Sequence, residues 1–285
     1  MKSYDAVIIG RGPAGISASL YLSRANLSTL MLGTDQSALR KASEIENYFG
    51  FEGVMSGSAL LDAGEKQAQR LGVEIRQEEV VALGPAETGF DIQTVSGGYA
   101  AKAVLIATGQ PSRKASIPGL QDFEGKGVSY CTTCDGFFYR NKSVGVLGNG
   151  NYAVQEAMEL EPFTKDITIF TNGSELSVTG EFAQRLEKYD VIQKPVIRLV
   201  GEEKLGELIL EDGPKKLDGL FIAFGTASSV DFAVKLGVNV RDNAILVDER
   251  QMTNFDGIFA AGDCTGGFKQ ISTAVGQGAL AGRGM

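Results

Sequence analysis

The sequence predicts an α/β protein built of two doubly wound, Rossmann-like nucleotide-binding-type domains, the second inserted in the first. Three observations carry this. Strand and helix signals alternate along all 285 residues. A short apolar run ends in a glycine turn and opens a helix at Gly10, and the same pattern returns at Gly148, about 138 residues on. The length is also comfortable for two domains.

Asp5–Ile9 reads as a buried strand, Ala14–Ala25 as a helix and Ser28–Leu32 as the next strand, which is the β-turn-α-β unit of a parallel sheet. Glu44–Gly50 is polar and aromatic, and Ala59–Leu71 has the spacing of an amphipathic helix. Val73–Ile75, Val80–Leu83 and Phe90–Val95 are sheet pieces, Gly97-Gly98 is a hairpin turn, and Ala103–Ala107 is a strand ending in Thr108-Gly109. Gln110–Gly119, with two prolines and two cations, reads as a linker. The pattern then restarts: strand Ser143–Leu147, turn Gly148–Gly150, helix Ala153–Leu160 stopped by Pro162, and strand Ile167–Thr171. Leu220–Phe224 and Ile258–Ala261 are later buried strands, the second ending in Gly262-Asp263 before a C-terminal helix. The expected division is a first domain of residues 1–110 and 216–285 and an inserted domain of residues 111–215.

Composition narrows the chemistry. Glycine is abundant, 37 of 285 residues, without a collagen-type repeat, so tight turns and close backbone approach to a ligand are its use. Histidine is absent, which excludes Ser-His-Asp and Cys-His catalysis, a histidine base and histidine-ligated metal. A net charge of −8 is opposite to the balance of a nucleic-acid binder. No apolar run is long enough to span a bilayer and no signal peptide is recognisable, so the expected location is cytoplasmic, with no membrane partner. In such a chain the pair Cys131-Thr132-Thr133-Cys134 is a redox couple or half a zinc site. Without a second pair or a histidine, four good zinc ligands are hard to assemble, and no metal is expected.

Gly10-Arg11-Gly12-Pro13-Ala14-Gly15 is a dinucleotide fingerprint in its required context, after a strand and opening a helix. Gly10 permits the tight turn, Gly12 lets a pyrophosphate reach the backbone, and Gly15 lets the helix pack on the strand. The helix N-terminus, at Pro13 and Ala14, then favours phosphate charge. Asp35 stands near the place of a ribose-binding acid, and serves equally well as a surface acid. Thr108-Gly109 and Gly262-Asp263, both at strand ends, suit FAD better than NAD in this domain. In the redox motif, two intervening residues permit a low-pKa thiol. Asp135 either exchanges a proton with a departing thiolate or caps a turn. Cys264 reads as a small buried residue.

On these residues, in this order along nearly the whole chain, the sequence resembles the low-molecular-weight thioredoxin reductase family of flavoproteins. Glu46-Asn47 matches the family segment beside the flavin, and Lys269-Gln270-Ile271 stands where the family has a cation-Gln-Ala near it. The resemblance implies FAD held by Gly10, Gly12, Pro13, Ala14, Gly15, Asn47, Thr108, Gly109, Gly262, Asp263, Lys269, Gln270 and Ile271. It implies thioredoxin as the disulfide acceptor, a homodimer, and rotation of the domains between two working states. By the same resemblance Cys134 faces the flavin and Cys131 attacks the partner's disulfide.

Departures from the family pattern bear on the electron donor. Gln36-Ser37-Ala38-Leu39 replaces a Gly-Gly-Gln-Leu segment. Gly148-Asn149-Gly150-Asn151-Tyr152-Ala153 keeps the second glycine frame, but a tyrosine stands where the family has a small hydroxyl residue, and would cover a pyrophosphate. NADPH users carry a His-Arg-Arg-x-x-x-Arg cluster after the next strand; here Thr171-Asn172-Gly173-Ser174-Glu175-Leu176-Ser177 has no cation and one acid. A dianionic phosphate finds nothing there to replace its water. The features resemble a branch without a working NADPH site that is reduced by ferredoxin. A ferredoxin near −400 mV and a thioredoxin near −270 mV leave ~130 mV, or ~6 kcal/mol for two electrons. Arg113, Lys114, Lys126, Arg140 and Lys142 are candidate contacts for an acidic donor. The alternatives are an NADH- or NADPH-driven reductase with an atypical site, an FAD-dependent dithiol oxidase, and a flavin redox sensor without turnover.

Overall fold

The computed structural model describes residues 1–109 and 116–285, so the first part of the expected linker, with Arg113 and Lys114, lies outside the described residues. The chain divides into two compact units, Met1–Pro111 with Ser228–Met285, and Ser112–Ala227.

The first unit opens with strand β1 (Lys2–Ile9), whose residues Ala6–Ile9 are buried, as expected of a strand covered on both faces. Helix α1 (Pro13–Arg24) has proline in its first turn, where the missing N–H costs nothing, and Asn26 at φ 59° just beyond its end. Strand β2 (Thr29–Leu32) follows, fully buried. Helix α2 (Gly57–Arg70) is capped by Ser56, whose Oγ accepts from the Ala59 N–H. Next come β3 (Glu74–Arg76), β4 (Val80–Pro85), β5 (Phe90–Thr94) and β6 (Gly97–Ile106). Thr94 pairs with Gly97, so the hairpin turn is Val95-Ser96, and Gly97-Gly98 belong to one long strand instead of the expected turn.

The second unit contains β7 (Val128–Ser129), helix α3 (Thr132–Asp135), β8 (Val144–Leu147), helix α4 (Asn151–Leu160) and β9 (Ile167–Phe170). Helix α5 (Glu181–Leu186), β10 (Asp190–Ile192), and an antiparallel meander of β11 (Val196–Gly201), β12 (Leu205–Leu210) and β13 (Gly213–Lys216) follow. Strand β14 (Gly219–Ile222) pairs in parallel with both β8 and β7, completing a sheet ordered β10-β9-β8-β14-β7. The return to the first unit therefore falls at Ser228, later than the expected 216. A buried apolar run does not carry the label of the sheet it joins; Leu220 and Phe221 pack here because their ladder partners are Gly145 and Val146.

The chain re-enters the first unit with α6 (Ser229–Lys235), whose Ser228 and Asp231 form a capping box, and the small pair β15 (Val240–Arg241) and β16 (Ala244–Ile245). Strand β17 (Ile258–Ala260) pairs in parallel with the end of β6, and α7 (Ile271–Gly284) closes the chain. The sheet runs β3-β2-β1-β6-β5-β4, with β17 on β6. Ile8, Leu22, Met31, Leu61 and Leu105 form its core. The two-domain α/β architecture is as the sequence predicts.

Helices α1 and α7 approach unusually closely. A Cβ on Gly278 would stand 2.1 Å from the Ala14 carbonyl oxygen. Gly278→Ala is expected to destabilise the protein by about 2 kcal/mol through overpacking, seen as a lower Tm in thermal unfolding of the holoprotein.

Candidate active site

In the first unit, β1 delivers its chain to the glycine turn. Gly10 has φ 124°, and a Cβ there would lie 2.1 Å from the Ala107 oxygen. A Cβ on Gly15 would meet the Gly10 oxygen at 2.1 Å, whereas one on Gly12 would meet nothing within 4 Å. Gly10 and Gly15 are thus needed for packing, and Gly12 faces open space at the start of α1, where no side chain caps the helix. Pro13 and Ala14 form the first turn behind it. Thr108, beside this turn, has a buried Oγ1 with no hydrogen-bond partner among the described residues. Gly262, at φ 85°, donates its N–H to Gln277 Oε1, and Asp263 follows it directly. Asn47 Nδ2 donates to Gln270 Oε1 at 2.9 Å, tying the 44–50 segment to the residue before α7. Ile271 is the first residue of that helix, and Lys269 is exposed beside Gln270.

These residues fit a dinucleotide. An open glycine lies at an uncapped helix N-terminus, where backbone N–H groups attract phosphate, and an orphaned hydroxyl stands beside it. Asp35 is ion-paired with Arg11 at 3.2 Å and with Arg40 at 3.7 Å. Arg11 also donates through Nε and Nη2 to both oxygens of Glu65, and through Nη1 to the Gly33 oxygen. Sequence reasoning missed Glu65, since nothing in its helix marks a partner 54 residues away.

In the second unit Cys131 and Cys134 form a disulfide with Cα atoms 5.3 Å apart. Cys131 is the N-cap of α3: the Cys134 N–H donates to its Sγ at 3.1 Å, and its own N–H donates to Ser129 Oγ. Asp135 ends α3, and its N–H donates to the Cys131 oxygen. Phe137 and Phe138 are exposed just beyond, with the Arg140 guanidinium 5.1 Å from the Phe137 ring. Lys126 and Lys142 line one cavity of about 900 Å³ with Lys204 and Lys216, but Glu202, Glu203, Glu207 and Asp218 line it too. That cavity is balanced in charge, not basic. Cys264 belongs to the first unit; its buried thiol donates to the Ala261 oxygen, and burial pushes it up to about 12.

The second glycine turn is covered by its own chain. The Asn149 side chain donates to the Glu175 oxygen at 2.8 Å, and the Asn149 oxygen accepts from the Ser177 N–H at 2.8 Å. Gly150 bridges Ser177 in parallel. Asn151 Oδ1 accepts from the Thr179 N–H, and its Nδ2 donates to Thr179 Oγ1. The segment 175–179 is therefore a strap across the turn. Tyr152, expected to cover this place, is buried at 2% exposure, so the cover is strap backbone and not the tyrosine ring. Sequence reasoning missed the strap; the asparagines at 149 and 151, where the fingerprint tolerates any residue, are the only signal of it.

Residues 4–278 match the family model described as pyridine nucleotide-disulphide oxidoreductase. A thioredoxin reductase of Listeria monocytogenes is 36% identical over 299 aligned positions, covering 99% of this chain and 92% of that protein. Among solved structures, an atypical thioredoxin reductase, TRi, from Desulfovibrio vulgaris Hildenborough is 43% identical with a TM-score of 0.95, covering 99% of this chain and 96% of that one. A ferredoxin-flavin thioredoxin reductase from Clostridium acetobutylicum is 29% identical with a TM-score of 0.72, over the same shares of the two chains. The chain belongs to the pyridine nucleotide-disulphide oxidoreductase family. Within it, the likeness is to flavoprotein disulfide reductases of the thioredoxin reductase type, and its cofactor is FAD.

Proposed function

We propose that the protein reduces thioredoxin through the Cys131–Cys134 pair with electrons that do not enter from NADPH at the second glycine turn, and that reduced ferredoxin is the donor. The strap over Gly150 is the observation that carries the donor reading. Contacts from Asn149 and Asn151 hold the strap across the turn where a pyrophosphate would have to lie, and no cation lies in the segment 171–177. The structural likeness to a ferredoxin-flavin thioredoxin reductase supports the same reading.

The residues of the first turn would hold the cofactor: Gly10 and Gly15 shape the turn, Gly12 would leave room for the pyrophosphate, and Thr108, Gly109, Asp263 and the Asn47–Gln270 pair would supply further contacts. When bound, FAD supplies a store that is filled one electron at a time and emptied two at a time. Cys131 attacks the thioredoxin disulfide. The Cys134 N–H that donates to Cys131 Sγ stabilises that sulfur as a thiolate. Asp135, on the same short helix, exchanges the proton with a departing thiolate, in a chain with no histidine for the purpose. Among the described residues no helix is long and apolar enough to cross a membrane. We place the enzyme in the cytoplasm as a homodimer.

Relatives named simply thioredoxin reductase, at 33–36% identity, favour a second reading, an NADH- or NADPH-driven reductase with an atypical site. The two readings separate in one anaerobic assay of thioredoxin thiol formation. With chemically reduced ferredoxin, thiols are expected to accumulate, and more slowly as salt rises if the contact is ionic. Thiol formation with NADPH and none with ferredoxin would establish the second reading.

A further inference from the structure

Asp35 and the two arginines around it take no part in the chemistry proposed above. Strands β1 and β2 run side by side in parallel with Ile9 opposite Leu32, so Arg11 and Gly33 stand just beyond neighbouring strand ends. In a doubly wound sheet this edge is where a dinucleotide lies, and an acid close to the end of the second strand accepts from the adenosine ribose. Here a glycine holds the first place after that strand. A Cβ on Gly33 would stand 3.2 Å from the Arg11 Cγ, closer than the roughly 3.5–4.0 Å at which carbon atoms pack best. The Arg11 stem thus takes the space of a side chain at 33, and the first acid available lies two residues on, at Asp35.

The same arginine draws that acid back to the glycine turn. Arg11 Nη1 lies 3.2 Å from Asp35 Oδ1 and donates to the Gly33 oxygen. Its Nε and Nη2 donate to the two oxygens of Glu65 on α2, a two-pronged pairing that fixes the plane of the guanidinium. Arg40, in the short turn Leu39–Lys41, lies 3.7 Å from Asp35 Oδ1 and closer to Asp62, at 2.7 Å. The Arg11 and Glu65 side chains are nearly buried, whereas that of Asp35 is 51% exposed. Both arginines reach Asp35 through Oδ1, and among the described residues Oδ2 is left to accept from a ligand.

Charge selects the ligand. Two arginines at this edge would by themselves suit a 2′-phosphate. Here they face three carboxylates, Asp35, Asp62 and Glu65, so the group carries two positive and three negative charges. A dianionic phosphate would be repelled, whereas a ribose hydroxyl needs only an acceptor. We propose that Asp35 accepts from the 2′-hydroxyl of the FAD adenosine ribose, and that Arg11, braced by Glu65, is the positioning residue that brings it there. This contact rests on the reading that the first glycine turn holds the FAD. Asp35 touches the cofactor; Arg11 and Glu65 act through Asp35.

The test uses the full-length holoprotein, loaded with FAD or with an FAD analogue whose adenosine lacks the 2′-hydroxyl. Affinity is read from the fluorescence of flavin released on dilution, without turnover. The wild type is expected to hold FAD about tenfold more tightly than the analogue, as a hydrogen bond to an ionised acceptor predicts. Asp35→Ala, at a half-exposed position, is expected to hold the two alike. Arg11→Met combined with Glu65→Gln keeps the stem over Gly33, leaves no carboxylate of Glu65 unpaired, and is expected to lose most of the preference. Arg11→Lys, which keeps the charge but cannot pair in two prongs, is expected to lose it likewise and serves if the double variant fails to fold. No preference in the wild type, or a preference that survives Asp35→Ala, would overturn the ribose contact. A full preference in the Arg11 variants would overturn the brace. Gly12→Leu tests the underlying reading: it fills open space at the turn and is expected to release FAD and analogue alike. Unchanged FAD affinity in that variant would remove FAD from the first turn, and the ribose contact with it.

Discussion

Replacing either Cys131 or Cys134 with serine is expected to lower the rate of thioredoxin reduction by about 10⁴-fold or more, because the two sulfurs work as a unit and neither alone can close the disulfide. Flavin content is expected to stay near one FAD per chain. The cysteines lie in the second unit, and the turn at Gly10–Gly15 and the Gly262-Asp263 corner lie in the first. Cys264→Ser is the control. That thiol is buried and its ionisation is pushed up to about 12, so almost none of it is thiolate at neutral pH, and the variant is expected to keep most activity. A Cys264 variant as impaired as the Cys134 variant would make the third thiol part of the electron path. Asp135→Asn is expected to slow turnover while flavin content and thermal stability stay close to wild type, since the residue ends a short surface helix and its proposed task is proton exchange.

The second large effect concerns the donor. Among the described residues, four hydrogen bonds hold the strap to Asn149 and Asn151. Replacing both asparagines with residues that cannot make the side-chain bonds removes three of them and leaves the Ser177 N–H on the Asn149 oxygen. Net values of about 1 kcal/mol per bond predict a loosened strap. Loosening alone is not expected to bring NADPH efficiency, because the segment 171–177 would still offer Glu175 and no arginine to a 2′-phosphate. Two arginines placed after Thr171 in the same background are expected to raise the rate of NADPH-driven flavin reduction well above that of either change alone. The quantity to compare is the observed rate constant at matched NADPH concentration.

Much of this molecule is readable from its residues. Gly10 and Gly15 announce the first turn because a side chain there would strike backbone, and that is a property of the position which selection of glycine makes visible. The redox pair is visible because two cysteines three apart can close a ring, and in a chain without histidine they have few other uses. Strand β14 is a harder case. Its apolar run marks it as buried, but only the ladder to Val144–Leu147 tells that it belongs to the inserted unit, and the expected boundary fell short for that reason. The strap is harder still. Asn149 and Asn151 meet Glu175 and Thr179 across more than twenty residues, through side-chain contacts with backbone that leave no periodicity in the sequence. Tyr152 misled for a related reason: its size suggested a cover over the turn, whereas its burial shows a side chain used for packing.

The most direct measurement is the absorbance of the oxidised flavin after anaerobic mixing of the holoprotein with excess NADPH. The strap and the missing cations predict that the flavin band persists over the time of many catalytic turnovers, while reduced ferredoxin bleaches it and added thioredoxin disulfide restores it. Bleaching by NADPH at a rate that matches turnover would contradict the account and would place the hydride donor at the second glycine turn.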